Sequence, residues 1–112
     1  MSYWAYILAS QPRGTLYTGV TNDLLGRVAA HRRDKGSAFT RKYKVHHLVW
    51  FEEFAEARWA IQREKTIKHY SRAWKVNLIE RQNLYWEDLF LGLLRRNNLS
   101  ESDLRIVPDD DL

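Results

Sequence analysis

Two short apolar runs near the amino end, YWAYILA (residues 3–9) and TLYTGVT (residues 15–21), flank the polar segment SQPRG. Each has the length and the aromatic, β-branched character of a strand. Pro12 and Gly14 supply turn chemistry between them. A hairpin follows, and the remaining segments must pack around it. Side chains alternate along a strand, so Trp4, Tyr6 and Leu8 share a face of the first, and Tyr17, Gly19 and Thr21 share a face of the second. Pairing Tyr6 with Tyr17 sets Ala9 opposite Gly14 and leaves a four-residue loop. Gly19 is the odd residue, because glycine weakens a strand interior. It marks a bulge, close approach by another backbone, or room for a ligand beside the two phenols.

Further along, Asn22 or Asp23 can cap a helix over about residues 24–33. DKGSAFTRKY reads as a polar, basic loop, and HHLVWFEEF (residues 46–54) as a third strand. A helix over about residues 55–68 comes next, and Ser71 can cap another through about residue 82. NLYWEDLFLGLL (residues 83–94) reads as a short terminal helix or turn. The stretch from Arg95 is polar and acidic, as a frayed or disordered tail is. The reading is one domain over residues 1–94 and an acidic tail over residues 95–112.

The absence of cysteine excludes disulfides, thiolate metal sites and a cysteine nucleophile. No run approaches the roughly 18 apolar residues of a membrane span, and no basic region precedes the apolar amino end. The expectation is a cytoplasmic protein with no membrane association. Net charge is +4, but the last twelve residues hold five acidic groups against Arg105 alone. Without them, 17 basic and 9 acidic residues give the first 100 a net +8. A body this basic favours a polyanionic partner, nucleic acid first.

One carboxylate sits where a helix should be apolar. Ala57, Ala60, Ile61 and Ile67 form a stripe at helical spacing, and Glu64 falls in its middle. Facing a core, a carboxylate is costly unless it is paired or metal-bound. An ion pair with an arginine is one solution, and ligation of a hard cation is the other. In the first helix, Arg27 and His31 are four apart and share a face, either solvated or functional. Gly26 costs about 1 kcal/mol in a helix interior and would let something approach closely. Phenols, an arginine, a histidine and a buried carboxylate on a basic body are the parts of a phosphodiester-cleaving site.

In this order the residues resemble the GIY-YIG nuclease superfamily, in particular its small single-domain members. WAY (residues 4–6) stands where the GIY triplet stands, YTG (residues 17–19) stands for YIG, and NDLLGRVAAHR, REK and NLYWEDL follow at matching positions. The resemblance covers about residues 3–91. It implies an α/β (α+β) fold, with a three-stranded antiparallel sheet flanked by helices, and metal-dependent hydrolysis of DNA. It places Tyr6, Tyr17, Arg27, His31, Glu64 and Asn83 in the catalytic site, with Gly19 as the motif glycine and Asn77 as a rival to Asn83. Trp4, Ala5 and Thr18 depart from the two triplets, and Leu84 replaces a proline after Asn83.

On that resemblance, Glu64 would hold Mg²⁺ or Mn²⁺, Arg27 would face the phosphate, Tyr6 would orient water or phosphate, and Tyr17, hydrogen-bonded to His31, would take the proton of the attacking water. DNA backbone contacts would come from Arg32, Arg33, Lys35, Arg41, Lys42 and Lys44, with Phe39 among them. Two other classes stay open: a non-catalytic binding module on the same scaffold, and a homodimer built on Trp50, Trp59, Trp74 and Trp86.

Overall fold

The computed structural model describes residues 1–107. Three strands, β1 (Tyr3–Ala9), β2 (Leu16–Thr21) and β3 (His47–Phe54), form an antiparallel sheet in the order β2-β1-β3. Helices α1 (Leu24–Arg32), α2 (Ala38–Tyr43), α3 (Ala57–Lys68), α4 (Arg72–Gln82) and α5 (Leu89–Arg96) follow in chain order, with a 3₁₀ turn at Glu101–Asp103. The sheet and the helices give the α+β fold that the resemblance implies.

β1 is the central strand, and its alternation divides the interior in two. Tyr6 and Leu8 join Leu24, Val28, Ala29, Val45, Leu48, Phe90 and Leu94 on the α1–α5 side. Ala5, Ile7 and Ala9 join Val49, Trp50, Ile67, Ile79 and Trp86 on the α3–α4 side. The tryptophans divide as well. Trp50 and Trp86 are core, whereas Trp59 and Trp74 are exposed on α3 and α4. The four therefore do not form one surface for a second copy.

The hairpin register differs from the expected one by two residues. Tyr6 faces Gly19, Leu8 faces Tyr17 and Ala9 faces Leu16. The turn is longer than expected: Ser10 N–H donates to Thr15 O, Thr15 N–H donates to Ser10 Oγ, and Gly14 N–H donates to Gln11 O. A shift of two keeps every side chain on its face. Gly19 is explained by this register. A Cβ there would lie 2.5 Å from the Tyr6 hydroxyl, so the glycine makes room for the phenol itself.

Asp23 caps α1, accepting from Gly26 N–H, and Ser71 caps α4, accepting from Trp74 N–H. The segment expected to be a basic loop contains α2, capped by the Ser37 hydroxyl, which accepts from Thr40 N–H. The described part of the expected tail is folded. α5 runs to Arg96, and Leu104 and Ile106 pack on the α1–α5 cluster. Val107 N–H donates to Gly26 O at 3.2 Å, and a Cβ on Gly26 would lie 2.5 Å from Arg105 O. The helix glycine is therefore where the carboxyl-terminal segment crosses α1. Asp109, Asp110 and Asp111 lie outside the described residues.

Candidate active site

α1 is short, and most of it is buried. Its four-residue spacing presents Arg27 and His31 to the same side of β1, where Tyr6 points. Three polar groups meet there. The Arg27 Nε–H donates to Tyr6 Oη at 3.3 Å, and the Tyr6 hydroxyl lies 3.0 Å from His31 Nε2. His31 Nδ1 lies 2.8 Å from Thr40 Oγ1.

The network fixes the protons. Thr40 gives its hydroxyl hydrogen to Ser37 O at 3.0 Å, so toward His31 it can only accept. Nδ1 therefore carries the ring proton, and Nε2 accepts from the Tyr6 hydroxyl. Burial, then the Arg27 charge, then His46 push the His31 pKa from 6.5 down to about 3. The ring is neutral at physiological pH, as an acceptor toward Tyr6 must be. Gly36 closes the arrangement from outside, since a Cβ there would run into the His31 ring.

Tyr17 stands at the edge of this group, half-buried. Its ring centroid is 5.3 Å from that of His31 and 6.4 Å from that of Tyr6. The contact is ring packing, and the hydrogen bond expected between Tyr17 and His31 is made by Tyr6 instead. Tyr6 is two positions off Tyr17 in register, which points its hydroxyl at α1.

Glu64 is buried in the apolar stripe of α3 with Ala60 and Ile67, as its spacing predicts. Its partner is not an arginine. Lys68, one turn on, holds Oε2 at 2.6 Å. Among the described residues, Glu64 is paired with Lys68 and is not hydrogen-bonded to the group around Tyr6.

Asn83 is placed elsewhere. Its amide donates to Val49 O at 3.0 Å and Glu87 O at 2.9 Å, and its Oδ1 accepts from Glu87 N–H at 2.9 Å. Both amide hydrogens and the carbonyl are committed to the backbone. Asn83 ends α4 and ties it to β3, and it does not join the phenols. Asn77, the rival, is exposed in a groove with Arg63, Tyr70, Trp74 and Arg81.

The GIY-YIG catalytic domain model matches residues 2–77, a span holding Tyr6, Tyr17, Arg27, His31 and Glu64. The chain belongs to the GIY-YIG family. UPF0213 proteins of Staphylococcus aureus strains Mu3 and N315 are each 37% identical to it over 79 residues, covering 70% of this chain and 95% of theirs. The solution NMR structure of the UPF0213 protein BH0048 from Bacillus halodurans is similar at a TM-score of 0.50 and 32% identity, covering 79% of this chain and 93% of that one. GIY-YIG membership implies nuclease-type activity on DNA at the level of the family.

In this GIY-YIG domain the donor set for a cation is small. Among the described residues no three acidic or histidine side chains gather. A single carboxylate fits a hard cation whose other ligands are phosphate and water. The Glu64 side chain is 11% exposed and that of Lys68 is 52%, so the ammonium can swing away while the carboxylate stays. Glu64 therefore fits the role, with Lys68 as a competitor. Lys68→Ala is expected to tighten Mn²⁺ binding about threefold, as removal of a partly solvated ion pair allows. A Mn²⁺ titration by calorimetry checks this, and unchanged affinity would separate the cation from Glu64.

The expected DNA contacts also divide. Arg32 bonds Asp88 at 2.6 Å and lies over the Phe90 ring, which fastens α1 to α5. Arg33 faces Glu101 at 3.7 Å. Both face carboxylates far along the chain, Arg32 closely and Arg33 through a longer, exposed pair. Lys44 lies 3.6 Å from Asp34 but is well exposed. Lys35, Arg41 and Lys42 form no ion pair among the described residues. Thr40, Ser37 and Gly36 complete the surroundings of His31. Their signal was the small-residue run GSAFT behind a histidine-bearing helix.

Proposed function

We propose that this GIY-YIG domain is a divalent-metal-dependent DNA endonuclease with structure-selective or weak sequence preference. The observation that carries the reading is the Arg27–Tyr6–His31–Thr40 chain. A buried guanidinium is expensive, and here it is aimed by a phenol whose own proton is fixed by a neutral imidazole. That is preorganisation for charge developing on a phosphate.

Arg27 binds and neutralises the scissile phosphate. Tyr6 positions Arg27. His31 orients the Tyr6 hydroxyl and is a positioning residue, because a ring with pKa about 3 is a poor store for a proton at pH 7. Tyr17, at the mouth of the group, receives the proton of the attacking water. To take that proton it needs positive charge close to the attacking water, from Arg27 or from the bound cation. Glu64 would hold Mg²⁺ or Mn²⁺, which when bound supplies polarisation of a phosphoryl oxygen and stabilisation of the leaving 3′ oxygen. Lys35, Arg41, Lys42 and Lys44 contact backbone phosphates without reading sequence.

A metal-dependent nicking assay on plasmid, flap and branched DNA tests the proposal. Wild-type protein is expected to cleave with Mg²⁺ or Mn²⁺, and Glu64→Gln to lose cleavage while retaining fold and DNA affinity. Full activity in that variant would remove the metal role. The alternative, a non-catalytic nucleic-acid-binding module, is favoured by one observation: Lys68 already neutralises Glu64. Wild-type binding without cleavage of any of the three substrates would select it.

A further inference from the structure

The segment from Lys35 to His46 contains four basic residues, Lys35, Arg41, Lys42 and Lys44, and no acidic one. It also carries two aromatic rings that the interior does not use. Phe39 is 42% exposed and Tyr43 is 45% exposed. They are not scattered. The Phe39 ring centroid lies 6.0 Å from that of Tyr17 and 4.8 Å from that of Tyr43. Tyr17, Phe39 and Tyr43 thus form a row of rings leading from the candidate active site onto the surface. Lys42 Nζ sits 5.3 Å from the Tyr43 ring centroid, beside the row.

Exposed rings flanked by cations suit a nucleobase, whose apolar face stacks while its phosphate pairs with a lysine or arginine. A paired base in duplex DNA has both faces covered by its neighbours and offers none to a ring. We infer that Phe39 and Tyr43 are a stacking platform for unpaired nucleobases beside the scissile phosphate, so that the preferred substrate carries a single-stranded segment there. The inference rests on the nuclease reading for its substrate and deepens it. The helical turn that carries both rings is held by the same Thr40 that accepts from His31, so the platform and the catalytic group share one anchor.

Binding measured without metal separates this inference from catalysis. Fluorescence anisotropy is read for a labelled single strand and for the duplex of the same sequence, in EDTA. Phe39→Ala is expected to weaken single-strand binding about tenfold and duplex binding less than twofold. Phe39→Leu keeps the apolar cover over Tyr17 but not the flat face, and is expected to behave like the alanine variant. Tyr43→Phe keeps the ring and is expected to bind as wild type. Equal loss on both DNAs, no loss on either, or recovery in Phe39→Leu would overturn the platform while leaving the nuclease reading intact. Failure of the wild-type protein to bind either DNA would overturn both.

Discussion

Arg27→Met is expected to lower the single-turnover cleavage rate by about 10²–10³-fold, the usual cost of deleting one preorganised donor from a reacting site. The methionine keeps the stem and volume of the arginine, so the packing of α1 changes little. What is lost includes the Nε–H that meets Tyr6 and the charge proposed to meet the phosphate. Arg27→Lys is not expected to rescue, since a point ammonium cannot bond Tyr6 and a phosphate through one rigid fork. DNA affinity should fall less than tenfold, since the proposal assigns backbone binding to the exposed cations of the α2 segment. Single-turnover kinetics with saturating enzyme, beside a circular dichroism spectrum, separate the two effects. A variant within fivefold of wild type would make Arg27 a packing residue and leave the phosphate without its clamp.

Acid is expected to unfold the protein partly through one ring. His31 has pKa about 3 in the folded chain, against 6.5 for an ordinary histidine. Between those values the unfolded chain binds a proton that the folded chain refuses. The contribution of His31 to stability is therefore complete above pH 6.5 and is lost as pH falls toward 3. By linkage the loss between pH 7 and pH 4 is about 3 kcal/mol. Carboxylates titrate over the same range, so the measurement is a difference. Denaturant unfolding at pH 7 and pH 4 is compared for wild type and His31→Gln. The glutamine variant is expected to lose about 3 kcal/mol less across that interval, whatever its stability at pH 7. Equal losses in the two proteins would mean that His31 is protonated in the fold, and that Nε2 does not accept from Tyr6.

The strands were legible because each is a short apolar run bounded by turn residues, and Glu64 because a carboxylate breaks a helical stripe. The face shared by Tyr6, Leu8, Tyr17 and Gly19 was legible too, since alternation survives a two-residue slip. The slip itself came from the Ser10–Thr15 closure, which uses a side-chain hydroxyl that spacing does not reveal. α2 was hidden for a different reason. Six residues do not sustain a helix alone, and this one is held by Ser37 capping and by Thr40 against His31. The phenol bonded to His31 could not be chosen from sequence, because Tyr6 and Tyr17 both face α1. Arg32 and Arg33 looked like DNA contacts because their carboxylate partners, Asp88 and Glu101, stand more than fifty positions away. Asn83 reads as a site residue by resemblance, while its three backbone bonds are a tertiary fact.

The crossing of Val107 over Gly26 bears on how the molecule is handled. Arg27 Nη1 also donates to Val107 O, at 3.5 Å. A fluorophore attached at Val107 would lie within reach of the guanidinium proposed to meet DNA. Met1, by contrast, is 92% exposed. Labels belong there.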